Sequence, residues 1–166
     1  MARTPKTLRP ADVCDVRGDT VRICDPLFND YGGRVVFQGT IVTVSTFEDN
    51  IKVREVLASN GVGKVLVVDG GGSRRHALMG GDVAELAATN GWEGVVFFGC
   101  IRDAHEIAEK NVGVKALGIN PRRPLKMGRG EVGPTVRFAG VDFRPGEYLY
   151  ADGDGIVVID APVPDE

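Results

Sequence analysis

Residues 64–103, KVLVVDGGGSRRHALMGGDVAELAATNGWEGVVFFGCIRD, decide the fold. They contain two short runs of consecutive apolar residues, Val65–Val68 and Val95–Phe98. Such a run, without alternation, suits a strand buried on both faces. Between them the glycine-rich loop 70–81 leads to a helix predicted to be capped by Asp82. That helix turns Val83, Leu86 and Ala87 inward and stops at Asn90-Gly91. After the second run, Arg102-Asp103 opens another helix. Strand and helix alternate at about the thirty-residue length of a βαβ unit, which predicts a parallel sheet in an α/β domain.

The same reading extends outward. Upstream, Val35 to Phe47 is rich in β-branched residues and predicts one or two strands with a bend at Gly39. Asp49 or Asn50 then caps a helix whose apolar positions are Ile51, Val53, Val56 and Leu57, ending in SNGVGK, 59–64. VCDVRGDTVRICD, 13–25, suits a short helix or an edge strand. Beyond Gly118, Pro121 and Pro124 mark a long loop. VRFAGVDF, 136–143, and EYLYADGDGIVVI, 147–159, read as antiparallel strands, with a turn at Asp152–Gly155. With no internal repeat or linker, residues 1–166 form one domain, with 1–10 and 160–166 as loose termini.

Bulk composition excludes several classes. A net charge of −3 gives no basic field for a nucleic-acid backbone. Cys14, Cys24 and Cys100 are odd in number and form no CxxC pair, which argues for a reducing, cytoplasmic compartment and against a disulfide framework or structural zinc. Two histidines are too few for a histidine-rich metal centre. No apolar run reaches membrane length, and the basic start MARTPKTLRP lacks the apolar segment of a secretory signal.

Three features carry chemistry. Gly80-Gly81-Asp82-Val83 stands at a helix start, where N–H groups lack helical partners and glycines admit a carboxylate or phosphate; an ordinary loop-to-helix junction is the alternative. Arg102-Asp103 ends a buried strand, at the sheet edge where α/β ligands bind. The arginine offers a fork for a carboxylate or carbonyl, and the aspartate a hard oxygen for Mg²⁺ or Mn²⁺. The alternative makes Asp103 a helix cap and Arg102 its exposed neighbour. Lys126, with Arg122 and Arg123, lies in a loop that could close on an anion or simply be solvated. Glu106, one helical turn beyond Asp103, could reach a metal-bound water or remain a surface charge. His76 and His105 have no partner suggested by spacing. No Walker lysine or dinucleotide glycine spacing is present. Because the two sheet-edge junctions come from successive βα units, they should share one cleft.

DGGGSRRHALMGGDVAELAATNGWEGVVFFGCIRDAHEI, 69–107, resembles the regulator of ribonuclease E activity A family and its enzymatic relatives, the class II 4-hydroxy-4-methyl-2-oxoglutarate/4-carboxy-4-hydroxy-2-oxoadipate aldolases. YGGR at 31–34, FEDN at 47–50, KALGINPRR at 115–123 and FRPGEYLYADGDGIVVI at 143–159 extend the resemblance from about Asp25 to Ile159. The family pattern G-x20-R-D-x2-E/D falls on Gly81, Arg102, Asp103 and Glu106. The resemblance implies a three-layer swivelling β/β/α domain in a homotrimeric ring with clefts between subunits. It implies Asp103 as the metal-side carboxylate, with Glu106 acting through water, and Arg102 as the group polarising a keto oxygen. Gly80, Gly81, Asp82 and Val83 would hold the substrate carboxylate, and Lys126 falls where the aldolases have a lysine near the site.

The activity so implied is divalent-metal-dependent cleavage of short 2-oxo diacids, with oxaloacetate decarboxylation through the same pyruvate enolate. The alternative is a non-catalytic regulator that binds ribonuclease E, without direct nucleic-acid contact. Two departures favour that alternative. The aldolases carry Asp where this chain has Gly81, and Asp82, one residue later, is rotated by about 100° on a helix. The chain also lacks the longer C-terminal segment with which some aldolases reach a neighbour's site. A menaquinone methyltransferase reading finds no glycine fingerprint for S-adenosylmethionine after the first strand.

Overall fold

The computed structural model describes residues 5–165. The region 13–25 holds both predicted alternatives, a helix α1 (Pro10–Arg17) and, after a 3₁₀ turn, an edge strand β1 (Arg22–Ile23). There follow β2 (Asn29–Asp30), β3 (Phe37–Ser45), α2 (Ile51–Leu57), β4 (Lys64–Asp69), α3 (Gly81–Thr89), β5 (Gly94–Ile101), α4 (Ala104–Ile107) and β6 (Gly113–Ile119). The last part is all β: β7 (Glu131–Val132), the hairpin β8 (Val136–Phe138) and β9 (Val141–Phe143), then β10 (Tyr148–Asp152) and β11 (Gly155–Ile159).

The main sheet runs β1-β11-β10-β3-β4-β5-β6-β2, with β7 paired to the end of β3. Strands β3 to β6 are mutually parallel, as the βαβ reading requires. β1 and β2 lie at opposite edges, yet five residues separate them. Six Cα steps reach at most about 20 Å. Eight strands laid flat would span roughly 34 Å. The sheet must therefore curl until its edges approach. Lys115 of β6 marks the seam: its buried ammonium donates to the Asp152 carbonyl oxygen at 2.8 Å and pairs with Asp30 of β2 at 3.0 Å.

Each central strand feeds two cores. Leu66 and Val68 of β4, with Val95 and Phe97 of β5, pack against Val53 and Leu57 of α2 and Val83, Ala84 and Ala87 of α3. Their alternates Val65, Val67 and Val96 meet Val136, Phe138, Val141 and Phe143 of the small hairpin. The layers are thus hairpin, sheet and helices, which is the expected three-layer β/β/α arrangement. Burial of each such side chain contributes about 1.5–3 kcal/mol, so apolar runs without alternation are what this position demands.

Two local expectations change. β3 runs unbroken through Gly39; a β-carbon there would meet the Gly63 carbonyl oxygen at 2.7 Å, so the glycine serves close approach and not a bend. Gly80, not Asp82, is the N-cap of α3, and Asp82 is an exposed second residue of the helix. The side-chain acceptor at that end comes from the next βα unit: Asp103 Oδ2 accepts the Gly81 N–H at 3.0 Å. No helix among the described residues is long and apolar enough to cross a membrane.

Candidate active site

The C-terminal ends of β4 and β5 bring the two junctions together. Residues 77–79 run beside the end of β5, with Leu78 N–H donating to Cys100 O and Arg102 N–H to Met79 O at 2.9 and 2.8 Å. A register shift between Phe97 and Cys100 bulges β5 and re-aims its end. The chain then enters α4 through Asp103, whose φ of 56° and ψ of 42° are left-handed. For a residue with a side chain this conformation costs about 1–2 kcal/mol. Here it presents a carboxylate to the Gly80–Gly81 turn.

A cavity of about 270 Å³ lies at this edge, lined by every residue singled out for the site: Gly80, Gly81, Asp82, Val83, Arg102, Asp103, Glu106 and Lys126. Arg122 and Arg123 are exposed and do not line it. Arg102 donates weakly to Pro121 O at 3.4 Å, while its Nε is buried without a partner. An orphaned buried donor costs about 1–3 kcal/mol, so a guanidinium held this way favours an acceptor in the cavity. With the Gly81 N–H engaged by Asp103, the N–H groups of Asp82 and Val83 are the free donors in the first turn of α3.

The two glycines are required by space. A β-carbon at Gly80 would stand 2.7 Å from Asp103 Oδ2 and 3.4 Å from Arg102 Nε. At Gly81 it would collide with Glu106 Oε2. The Glu106 carboxylate therefore occupies the space into which a side chain at position 81 would grow. Asp103 and Glu106 converge on one turn, and a hard cation with water ligands needs little more from protein. Among the described residues no cluster of three His, Cys, Asp or Glu forms an all-protein cage. The two carboxylates are a donor set that could hold a hard divalent cation keeping most of its water ligands.

Sequence reasoning missed the tether that holds this edge, the tetrad Phe47-Glu48-Asp49-Asn50. Glu48 accepts from Ser73 Oγ at 2.6 Å and Arg75 Nε at 3.0 Å, fixing the glycine-rich loop. These contacts, the Ser73 hydrogen bond foremost, lower its carboxyl pKa. Asp49, fully buried, accepts N–H groups from Ile51, Met127 and Arg129 at 3.1, 2.8 and 3.3 Å, joining α2 to the loop that carries Lys126. Burial opposes its ionisation, but these backbone donors outweigh it and hold the carboxyl below the usual aspartate range. Asn50 Nδ2 donates to Leu78 O at 3.2 Å, and its Oδ1 is buried without a partner. Asn50, Arg54 and Pro124 also line the cavity. The advance signals for the tether were FEDN itself and the reading of Asp49 or Asn50 as a helix cap; nothing in the sequence singled out Arg54. His76 has a structural partner, Arg123 O at 2.8 Å, while exposed His105 lies 3.8 Å from Glu106.

The family model described as Aldolase/RraA, RraA-like, matches residues 10–158. The chain belongs to the RraA-like family. It is 52% identical over 152 residues to a Pseudomonas fluorescens SBW25 protein named "Putative 4-hydroxy-4-methyl-2-oxoglutarate aldolase", covering 92% of this chain and 93% of that one. A Dechloromonas aromatica protein of the same name is 53% identical over 156 residues, covering 92% and 96%. Two solved structures similar to this chain carry other names. One, from Geobacillus kaustophilus, is called an S-adenosylmethionine:2-dimethylmenaquinone methyltransferase; it superposes with TM-score 0.92 at 45% identity, covering 94% of this chain and 97% of that one. The other, the RNA-processing inhibitor RraA of a Thermus species, gives TM-score 0.90 at 40% identity, covering 99% and 96%.

Proposed function

We propose that this RraA-like chain is a divalent-metal-dependent lyase of short 2-oxo diacids, cleaving 4-hydroxy-4-methyl-2-oxoglutarate to pyruvate and decarboxylating oxaloacetate through the same pyruvate enolate. The observation that carries this reading is one cavity in which an unpartnered buried guanidinium nitrogen, two converging carboxylates and free helix-start N–H groups meet. The names of the Pseudomonas and Dechloromonas relatives support it.

Asp103 would hold the cation directly and Glu106 through water. The bound cation would act as a Lewis acid on the 2-oxo acid. The free N–H groups of Asp82 and Val83 receive the substrate's C1 carboxylate, which bare Gly80 and Gly81 allow to approach. Arg102 is placed to polarise the C2 keto oxygen and stays with it as negative charge develops there on C3–C4 cleavage. Lys126, which lines the same cavity, adds positive charge to it. Schiff-base chemistry is not required of it.

We further propose that the chain assembles as a homotrimer with this cleft between subunits. Phe47, Leu125, Met127 and Val132 are large, substantially exposed apolar side chains flanking the Lys126 loop, and a second copy would cover them. Three free thiols suit a reducing cytoplasm.

The test is pyruvate release from both substrates with Mg²⁺ or Mn²⁺, with chelator, and with Arg102→Ala. Metal-dependent release that the variant loses is expected. Release indifferent to chelator and variant would overturn the reading. A second reading, a regulator binding ribonuclease E, is favoured by the likeness to the Thermus RNA-processing inhibitor. It predicts inhibition of RNA cleavage by ribonuclease E that survives Arg102→Ala.

A further inference from the structure

The cavity contains a cation that the mechanism above leaves idle. Arg54 lies on α2 at an exposed position and lines the same cavity as Arg102. Arg34 pairs with Glu93 at 2.9 Å and Arg75 with Glu48 at 3.0 Å, while Arg122, Arg123 and Arg129, without a side-chain partner among the described residues, do not line the cavity. On the same helix Lys52 pairs with Glu55. No ion pair or side-chain hydrogen bond among the described residues involves Arg54. Its helix is nonetheless firmly placed. The Arg54 N–H donates to Asn50 O at 3.0 Å, and buried Asn50 is tied to Leu78 O beside the glycine turn. A planar, two-pronged donor on a tethered helix is better suited than a lysine on a loop to fix a carboxylate's orientation.

We propose, building on the lyase reading, that Arg54 receives the substrate's second carboxylate and so sets the preference for 4-hydroxy-2-oxo diacids. The two reactions use that carboxylate differently. In aldol cleavage the C4 hydroxyl passes its proton to water, the C3–C4 bond breaks, and its electron pair enters the pyruvate enolate, which water reprotonates at C3. C4 becomes the keto carbon of a second pyruvate, and the C5 carboxylate persists unchanged. In oxaloacetate the C3–C4 electron pair enters the same enolate, but C4 itself departs as neutral CO₂. A cation on C5 anchors the first reaction throughout. On the C4 carboxylate of oxaloacetate it opposes loss of the charge it holds. Arg54 therefore favours aldol cleavage over decarboxylation.

The experiment compares kcat/KM for three substrates: 4-hydroxy-4-methyl-2-oxoglutarate, its monoacid analogue 4-hydroxy-4-methyl-2-oxopentanoate, and oxaloacetate. In Arg54→Ala the diacid-to-monoacid ratio should fall by about 10- to 100-fold, as expected for losing a charged hydrogen bond. The loss should appear mainly in KM. The aldol-to-decarboxylation ratio should fall with it, and Arg54→Lys should restore part of both. An unchanged diacid-to-monoacid ratio overturns the proposal, as does an equal fall in all three reactions, which would mean structural damage. A wild-type protein that releases pyruvate from none of them removes the lyase reading and this inference together. That pattern is distinct from an active enzyme indifferent to Arg54.

Discussion

Lys115, buried, and Arg102, half-buried with its Nε shut off from water, are cations at opposite extremes of satisfaction. Lys115, at the seam of the curled sheet, has a carboxylate and a carbonyl within 3.0 Å. Arg102, at the sheet's C-terminal edge, has a buried Nε with no partner, beside a left-handed Asp103 and an orphaned Asn50 Oδ1. At the seam Lys115 and its partners spend their polar groups on one another, and so hold the fold. The edge keeps its groups free and strained, which a fold tolerates where something else is to bind.

This contrast can be broken by exchanging the readouts. Arg102→Ala should lower kcat/KM for pyruvate release by about 10²- to 10³-fold, in line with loss of an electrostatic stabiliser. Its unfolding free energy in urea should stay within about 1 kcal/mol of wild type. Lys115→Ala should do the reverse. Leaving the buried Asp152 carbonyl without its donor and Asp30 without its partner costs about 1–3 kcal/mol, while turnover per folded molecule remains. A stability loss at Arg102 as large as that at Lys115 would erase the distinction.

Smaller effects sharpen it. Asp49 belongs to the tether, and its depressed pKa stabilises the folded state fully above the unfolded aspartate value of about 3.9. That contribution disappears as pH falls through the lower folded value. Asp49→Asn should therefore be less stable than wild type by about 1–3 kcal/mol at pH 7, with the gap closing below about pH 4. Chemical denaturation across that range measures it. A few-fold rise in KM is also expected as the Lys126 loop loosens. At Asp103, Gly and Ala variants should both lose metal-dependent turnover. Gly should unfold about 1 kcal/mol less readily than Ala, because only Ala retains the left-handed penalty. The finest test concerns position 81. Gly81→Asp alone should weaken Mn²⁺ binding, because it collides with Glu106. The same change with Glu106→Ala should recover several-fold of that loss, as titration of the metal would show.

What the sequence revealed divides along the same line. The strands were legible because β4 and β5, buried on both faces, tolerate nothing but apolar residues, and because glycines punctuate their ends. Arg102, Asp103 and the glycine turn were legible because they sit where βαβ topology puts ligands. The Asp82 cap was misread because the junction is satisfied by Asp103, a carboxylate 22 residues away that enters only when the two units pack. The tether was invisible for the same reason. Asp49 looks like a local helix cap, and its N–H from Ile51 fits that reading, but its grip on Met127 and Arg129 spans some eighty residues. Local pattern reports elements; contacts between loops exist only after folding.

The curl of the sheet has a consequence for behaviour in a crowded solution. Open sheets invite other chains to continue their ladders. Here each flank of an eight-strand path ends in a strand of two residues, too short to template another. At a net charge of −3 mutual repulsion between copies is slight. Resistance to strand-by-strand polymerisation is therefore supplied by geometry, through nine residues of chain, 22–30, folded across the gap.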